Sequence, residues 1–135
     1  MNLKEVYDYY SRDDVKNFIV NFCKNREVVG VFRSAAYSKR PNVIIYPKDL
    51  TEMVKSGAVA FHGSVELWDN PMNLKLDSNY SRHRIGWDLL IDLDCKAFPH
   101  GKLATQVFLD GLKSLGIENI SVKFTGGKGF HLGIP

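Results

Sequence analysis

Leu89-Leu90-Ile91-Asp92-Leu93-Asp94 combines a nearly continuous apolar run with two aspartates that stand two positions apart. The apolar residues predict a strand over 85–93 that is covered on both faces in the middle of a sheet. On an extended chain Asp92 and Asp94 point to the same face, with Cα atoms about 6.5 Å apart. Two carboxylates that close repel each other unless a cation lies between them, so the pair predicts a site for Mg²⁺ or Mn²⁺. The alternative is a pair of strand-end aspartates that face solvent or cap the next turn.

A helix and a second strand follow. Apolar residues recur at helical spacing from Leu103 to Leu112, and Gly116 is placed to end the helix. Residues 120–124 then return to a strand pattern. The sequence therefore predicts a strand-helix-strand unit, which would bring the residues after both strands to one region of the sheet.

The second strand leads into a glycine-rich loop, Thr125-Gly126-Gly127-Lys128-Gly129-Phe130-His131. Three glycines allow a backbone to approach an anion closely, while a hydroxyl, a lysine and a histidine add phosphate-binding groups. The spacing is not that of a nucleoside-triphosphatase P-loop. The prediction is a phosphate-binding loop beside the two aspartates, and the alternative is a glycine-rich hairpin turn with a solvated lysine and a packed histidine.

The first half of the chain predicts alternating helices and strands. The region over 69–84 is rich in Asn, Asp, Ser and Pro and predicts a surface connection. The other predicted elements are a helix opened by Ser11 and running to Phe22, strands over 28–32 and 42–46, a helix over 50–56 capped by Asp49 and ended by Gly57, and a strand over 58–62.

The composition fits one domain spanning residues 1–135, with 44% hydrophobic residues. No apolar stretch approaches the length of a membrane span, so we expect a soluble, cytoplasmic protein with no membrane partner. Cys23 and Cys95 stand far apart and predict reduced thiols rather than a disulfide framework or a zinc site. The net charge of +3 is compatible with a nucleic-acid partner but does not establish one.

At these residues the sequence resembles the archaeal-eukaryotic primase superfamily. Its first motif is hydrophobic-Asp-hydrophobic-Asp, matched by Leu90 to Asp94, and its second is a Ser-Gly-x-x-Gly-x-His type loop, matched by Thr125 to His131. Further stretches resemble the replicative small-subunit branch, so the likeness covers most of the chain. These stretches are Arg26-Glu27, Ser64 to Trp68 with Asn70-Pro71, and Trp87-Asp88.

The resemblance implies a mixed α+β fold with a central mixed sheet flanked by helices, like a primase catalytic core that is incomplete at its C-terminus. It implies a nucleotidyltransferase that makes short primers on a DNA template from nucleoside triphosphates, and a primase large subunit as a possible partner. Asp92 and Asp94 would be catalytic residues that bind Mg²⁺ or Mn²⁺, while no residue is assigned as the family's third catalytic carboxylate. The nucleotide would be bound by Thr125, Gly126, Gly127, Lys128, Gly129 and His131.

Several departures from the family pattern keep other functions open. Thr125 replaces the usual serine, and Lys128 stands where the replicative branch tends to have arginine, a form that looks more like the polymerase domains of bacterial end-joining ligases. The zinc-binding Cys/His group of many replicative primases is not present in the sequence between the two motifs. The alternatives are therefore a repair polymerase domain and a non-catalytic module that binds nucleotides or nucleic acid.

Residues outside the two motifs give weaker signals. Arg82 and Arg84 are possible nucleic-acid contacts, although solvated loop charges explain them better. Trp87 stands beside the predicted buried strand, and we expect it in the core rather than stacked on a base.

Overall fold

The structure is a computed structural model that describes residues 2–75 and 80–135, and it confirms the mixed α+β class. The chain divides into two compact units, Met1–Gly86 (unit 1) and Trp87–Pro135 (unit 2). The single domain over 1–135 stays a prediction. In the described residues the strands form three small sheets, of two, two and three strands, rather than the one central mixed sheet of the prediction.

Unit 1 packs three helices around a short antiparallel sheet. Strand β1 (Val28–Phe32) pairs with β2 (Ala58–Gly63), as the sequence predicts. The helices are α1 (Leu3–Ser11), α2 (Asp13–Phe22) and α3 (Pro47–Lys55). Their buried side chains meet in one apolar core, made of Val6, Cys23, Val28, Ile44, Leu50 and Val54.

Three predictions in unit 1 need correction. The helix expected over 50–56 with Asp49 as its cap is α3, which begins at Pro47 and has Asp49 in its first turn. The helix expected from Ser11 begins at Asp13, because Ser11 ends α1. Residues 42–46 form no strand, although Ile44 is buried. The Asp49 carboxylate accepts hydrogen bonds from the backbone N–H groups of Ile45 and Tyr46, which a strand would use for pairing. This segment therefore buries an apolar side chain and leads into α3 without joining a sheet.

The last part of unit 1 contains two short 3₁₀ turns, Pro71–Lys75 and Tyr80–His83. Part of the predicted surface connection, over 76–79, lies outside the described residues. The single strand expected over 85–93 is two strands, β4 (Arg84–Trp87), which pairs with β3 (Glu66–Trp68), and β5 (Leu89–Asp94). Among the described residues, no helix is long and apolar enough to cross a membrane.

Unit 2 is a three-stranded sheet with one helix. Strand β5 is followed by α4 (Phe98–Ser114), β6 (Ser121–Phe124) and β7 (Gly129–Ile134), and the sheet order is β5-β7-β6. Because β7 is antiparallel to both neighbours, β5 and β6 run parallel to each other and end at the same edge of the sheet. The predicted strand-helix-strand unit is confirmed, with β7 inserted between its two strands.

One face of this sheet is apolar and packs against α4. Leu132 in the middle strand has no exposed surface. The Phe98 ring of α4 lies 5.6 Å and 5.8 Å from the rings of Phe124 and Phe130, measured between centroids. These contacts fix which face of each strand points away from the helix, since side chains alternate along a strand.

Strand β5 is an edge strand of this sheet, so the prediction of a strand covered on both faces is wrong for the described residues. Leu89 and Leu90 are 52% and 45% exposed. Trp87 is 67% exposed, so its predicted place in the core is also wrong. A continuous apolar run predicts burial on both faces, but here α4 covers only one of them.

An ion pair joins the start of β1 to the loop that follows it. The Glu27 side chain is 7% exposed, and its carboxylate accepts hydrogen bonds from Nε (2.7 Å) and Nη2 of Arg40. Arg40 itself is 64% exposed. A buried carboxylate needs such a partner, because desolvation penalises its charged form.

We expect Arg40→Ala to lower the free energy of unfolding by about 1.5–3 kcal/mol, the range for a hydrogen bond to a charged group. The matched control is Lys39→Ala at the exposed neighbouring position, which should change stability by less than about 0.5 kcal/mol. Urea denaturation followed by circular dichroism measures both. Adding Glu27→Gln to Arg40→Ala should recover part of the loss, and equal stability of the two single variants would contradict the assigned role.

Candidate functional site

The face of the unit 2 sheet that points away from α4 is here called the polar face. Residues directly opposite each other in an antiparallel pair project to the same side, so the register defines which residues share it. Thr125 extends β6 by one step, because its backbone N–H donates to the Gly129 carbonyl oxygen at 3.0 Å. Nine residues of the three strands therefore lie on the polar face. They form three rows across the sheet, Leu90–Gly133–Ser121, Asp92–His131–Lys123 and Asp94–Gly129–Thr125.

The middle row contains the clearest contact of the site. Asp92 is directly opposite His131, and its Oδ1 lies 3.4 Å from Nε2 of the imidazole. The side chains are 61% and 31% exposed, respectively. The structure therefore brings together one residue from each of the two sequence motifs, on a surface that a ligand can reach.

In the row Asp94–Gly129–Thr125, the important feature is that Gly129 has no side chain. A Cβ atom at this position would collide with Oδ1 of Asp94 and with the Leu93 carbonyl oxygen. Next to this row, the backbone N–H of Cys95 donates to the Lys128 carbonyl oxygen at 3.2 Å. Glycine is thus required here so that the Asp94 carboxylate can lie over the middle strand.

The loop over 125–128 has the hairpin conformation that the sequence left open as the alternative to a phosphate-binding loop. It joins β6 to β7, and Gly126 adopts a positive φ of 84°. The Thr125 hydroxyl donates to the Gly129 carbonyl at 3.1 Å and accepts from the Gly129 N–H at 3.2 Å. Gly127 and Lys128 are exposed at the tip. The predicted nucleotide-binding residues thus divide into a polar-face group (Thr125, Gly129, His131) and a turn group (Gly126, Gly127, Lys128).

Two carboxylates of the polar face are the candidate ligands for a divalent cation. Asp92 and Asp94 are exposed, share one face of β5, and offer the oxygen ligands that Mg²⁺ and Mn²⁺ prefer. Within residues 2–75 and 80–135, no group of three or more His, Cys, Asp or Glu side chains is placed to hold a metal. A cation here would therefore take its remaining ligands from water and from phosphate oxygens, as Mg²⁺ commonly does at nucleotide sites.

The two arginines singled out in the sequence belong to unit 1. Arg84 forms an ion pair with Glu66, with Nη2 2.5 Å from Oε1, and its guanidinium lies 5.5 Å from the centroid of the Trp68 ring. These contacts give Arg84 a structural role. Arg82 is exposed in a 3₁₀ turn, with Nε 3.5 Å from Nε2 of His83. A nucleic-acid contact by either arginine stays a prediction.

Lys123 lies on the polar face although it belongs to neither sequence motif. It lies directly opposite His131 on β6, and its side chain is exposed. The signal in the sequence is its position two residues before Thr125, since alternate residues of a strand share a face. This alternation alone does not place Lys123 beside His131, because that position depends on the register between β6 and β7.

A scan against models of known protein families gives no match for this chain, and neither does a search of curated proteins. The likeness to the primase superfamily therefore stays a resemblance carried by the two motifs.

We expect Gly129→Ala to destabilise the protein by about 1–3 kcal/mol, the usual cost of an added methyl group where no space exists. The matched control is Gly127→Ala, where a Cβ atom would meet no heavy atom within 4 Å. The control should remain within about 0.5 kcal/mol of the parent protein. Thermal and urea denaturation compare the two variants, and a Gly129→Ala protein as stable as the control would show that the Asp94 row is not tightly packed.

Proposed function

We propose that this chain provides the metal- and nucleotide-binding part of a primase-type nucleotidyltransferase, which extends strands on a DNA template from nucleoside triphosphates. The observation that carries the proposal is the cross-strand contact between Asp92 and His131, with Asp94 on the same face. It brings acidic residues from one motif beside an imidazole of the other that can form hydrogen bonds. Together they suit a metal-bound polyphosphate better than either motif does alone.

Each residue of the face has a role in this proposal. Asp92 and Asp94 hold the cation at the end of β5. With protons on both ring nitrogens, His131 donates from Nδ1 to a phosphate oxygen while Nε2 faces Asp92. Bound divalent cations supply positive charge that favours ionisation of the attacking 3′-hydroxyl and stabilises charge on the α-phosphate and the leaving pyrophosphate. The Asp92 carboxylate orients the imidazole before the nucleotide binds, which lowers the cost of binding.

The protein supplies only part of the machinery in this proposal. The family's third catalytic carboxylate has no assigned counterpart in this chain, so the direct test measures binding rather than primer synthesis. A DNA template, a primase large subunit and a cytoplasmic location belong to the same proposal. The lysine at 128 also agrees with a repair polymerase domain of the end-joining type.

A second candidate is a module that binds nucleotides or nucleic acid without catalysis. It is favoured by the engagement of the Thr125 hydroxyl in closing the hairpin turn, which removes one predicted phosphate contact. The two candidates differ in what the carboxylates do. In the first, nucleotide binding requires Asp92 and Asp94 together with a metal ion. In the non-catalytic module, nucleotide binding requires neither the two carboxylates nor the metal ion.

We expect Mn²⁺ to bind weakly alone and at least about ten-fold more tightly with a nucleoside triphosphate present, because the phosphates complete its ligand set. The double variant Asp92→Asn with Asp94→Asn should lose this enhancement. The fall in the electron paramagnetic resonance signal of free Mn²⁺, compared with the same Mn²⁺ and nucleotide without protein, measures binding, and a fluorescent nucleotide measures the reciprocal effect.

The matched control is Asp110→Asn with Glu118→Gln, which removes the same charge from two exposed carboxylates elsewhere in unit 2. The control should bind like the parent protein. Equal binding by both double variants would overturn the proposal. Metal-independent binding of nucleotide or single-stranded DNA that survives the Asp92 and Asp94 substitutions would support the non-catalytic module instead.

A further inference from the structure

We propose that Lys123 binds the β- and γ-phosphates of the nucleotide on the polar face, an inference that rests on the proposed function. Lys123 lies outside both sequence motifs. It would make this site select nucleoside triphosphates over monophosphates.

The first support is position. Lys123 and His131 are directly opposite each other in the β6–β7 pair, so their Cβ atoms lie about 4.5–5.5 Å apart. Asp92 is opposite His131 on the other side. The Cα atoms of Asp92 and Lys123 are therefore about 9.6 Å apart, two spacings between neighbouring strands. The row runs from a carboxylate through an imidazole to an ammonium group.

The second support is shape. The polar-face neighbours of His131 along β7 are Gly129 and Gly133, so no side chain projects from the middle strand on either side of the imidazole. At Gly133 a Cβ atom would meet Oγ of Ser121 at 2.6 Å, and this hydroxyl donates to the Gly133 carbonyl at 3.1 Å. The Asp94 carboxylate and the Ser121 hydroxyl reach over these two glycines from the outer strands and are the groups beside the imidazole, so a phosphate chain would reach His131 and Lys123 from the solvent side.

The third support is charge. Negative side chains lie on the β5 side of His131, and the positive side chain of Lys123 lies on the β6 side. A metal-bound triphosphate has the matching distribution, with a cation at one end and free anionic oxygens at the other. A lysine side chain is a flexible point charge that commonly binds phosphate. Within the described residues, no carboxylate forms an ion pair with Lys123. A phosphate group would therefore not have to displace such a partner in order to bind the ammonium group.

A lysine on an edge strand has another common role, because it discourages pairing with a strand of a second molecule. Strand β6 is an edge strand in the described sheet. This role predicts that removing the lysine promotes self-association and leaves nucleotide binding unchanged. Phosphate binding predicts that removing the lysine weakens nucleotide binding and leaves self-association unchanged, so the two roles can be separated.

The test compares Mn²⁺-dependent binding of a nucleoside triphosphate and the corresponding monophosphate to the parent protein, Lys123→Ala and Lys123→Arg. The control is Lys113→Ala, an exposed lysine of α4. We expect Lys123→Ala to weaken triphosphate binding about ten-fold, or about 1.4 kcal/mol. It should change monophosphate binding by less than about two-fold, since that ligand lacks the distal phosphates. Lys123→Arg should restore most of the affinity, and Lys113→Ala should bind like the parent protein.

Size-exclusion chromatography of the same variants reports self-association. If the parent protein does not bind the triphosphate, the proposed function fails and the role of Lys123 fails with it. If the parent protein binds and Lys123→Ala binds equally well, only the Lys123 assignment is overturned, whether or not the variant self-associates. Equal weakening of mono- and triphosphate binding, or weakened binding of single-stranded DNA alone, also overturns it.

Discussion

The antiparallel register of β5 with β7 is the constraint on which the candidate site depends. It places Asp92 opposite His131 and Asp94 opposite Gly129. A slip of one residue would turn both aspartates towards α4 and expose Ile91 and Leu93, which alternate with them. Two features oppose such a slip. The fully buried Leu132 anchors β7 on the apolar face, and Gly129 leaves the space that the Asp94 carboxylate fills. Core packing on one face thus sets the chemistry of the other.

The elements of unit 2 follow from local sequence, but their arrangement does not. Helical spacing and Gly116 predict α4, and the apolar residues from Ile120 predict β6. Strand β7 escapes prediction because glycines at 126, 127 and 129 suit a phosphate-binding loop and a hairpin turn equally well. The alternation of Phe130, Leu132 and Ile134 with polar or small residues is a strand signal, but it is too short to separate the two. The position of Lys123 beside His131 depends on the pairing of β6 with β7, so the sequence does not predict it either.

The errors elsewhere have a common physical cause, since local patterns do not say which partners cover an apolar residue. Residues 42–46 have strand composition, yet the Asp49 side chain takes two of their N–H groups and only Ile44 enters the core. Leu89 and Leu90 read as part of a central strand, yet they lie on an edge strand with about half of their surface exposed. Burial of an apolar side chain and membership of a sheet are separate outcomes, and the sequence pattern predicts only a tendency towards each.

The open form of the polar face has a consequence for how ligands would bind there. Exposed carboxylates keep much of their hydration, so two of them attract a divalent cation only modestly in water. Phosphate oxygens that complete the ligand set add affinity for the cation, and by reciprocity the cation adds the same free energy to phosphate binding. In the proposed function, the contact between Asp92 and His131 would join the two events, because one carboxylate would serve the metal while it orients the imidazole towards the phosphate. A strand pair that fixes these two side chains would then couple metal binding to nucleotide binding without a deep pocket.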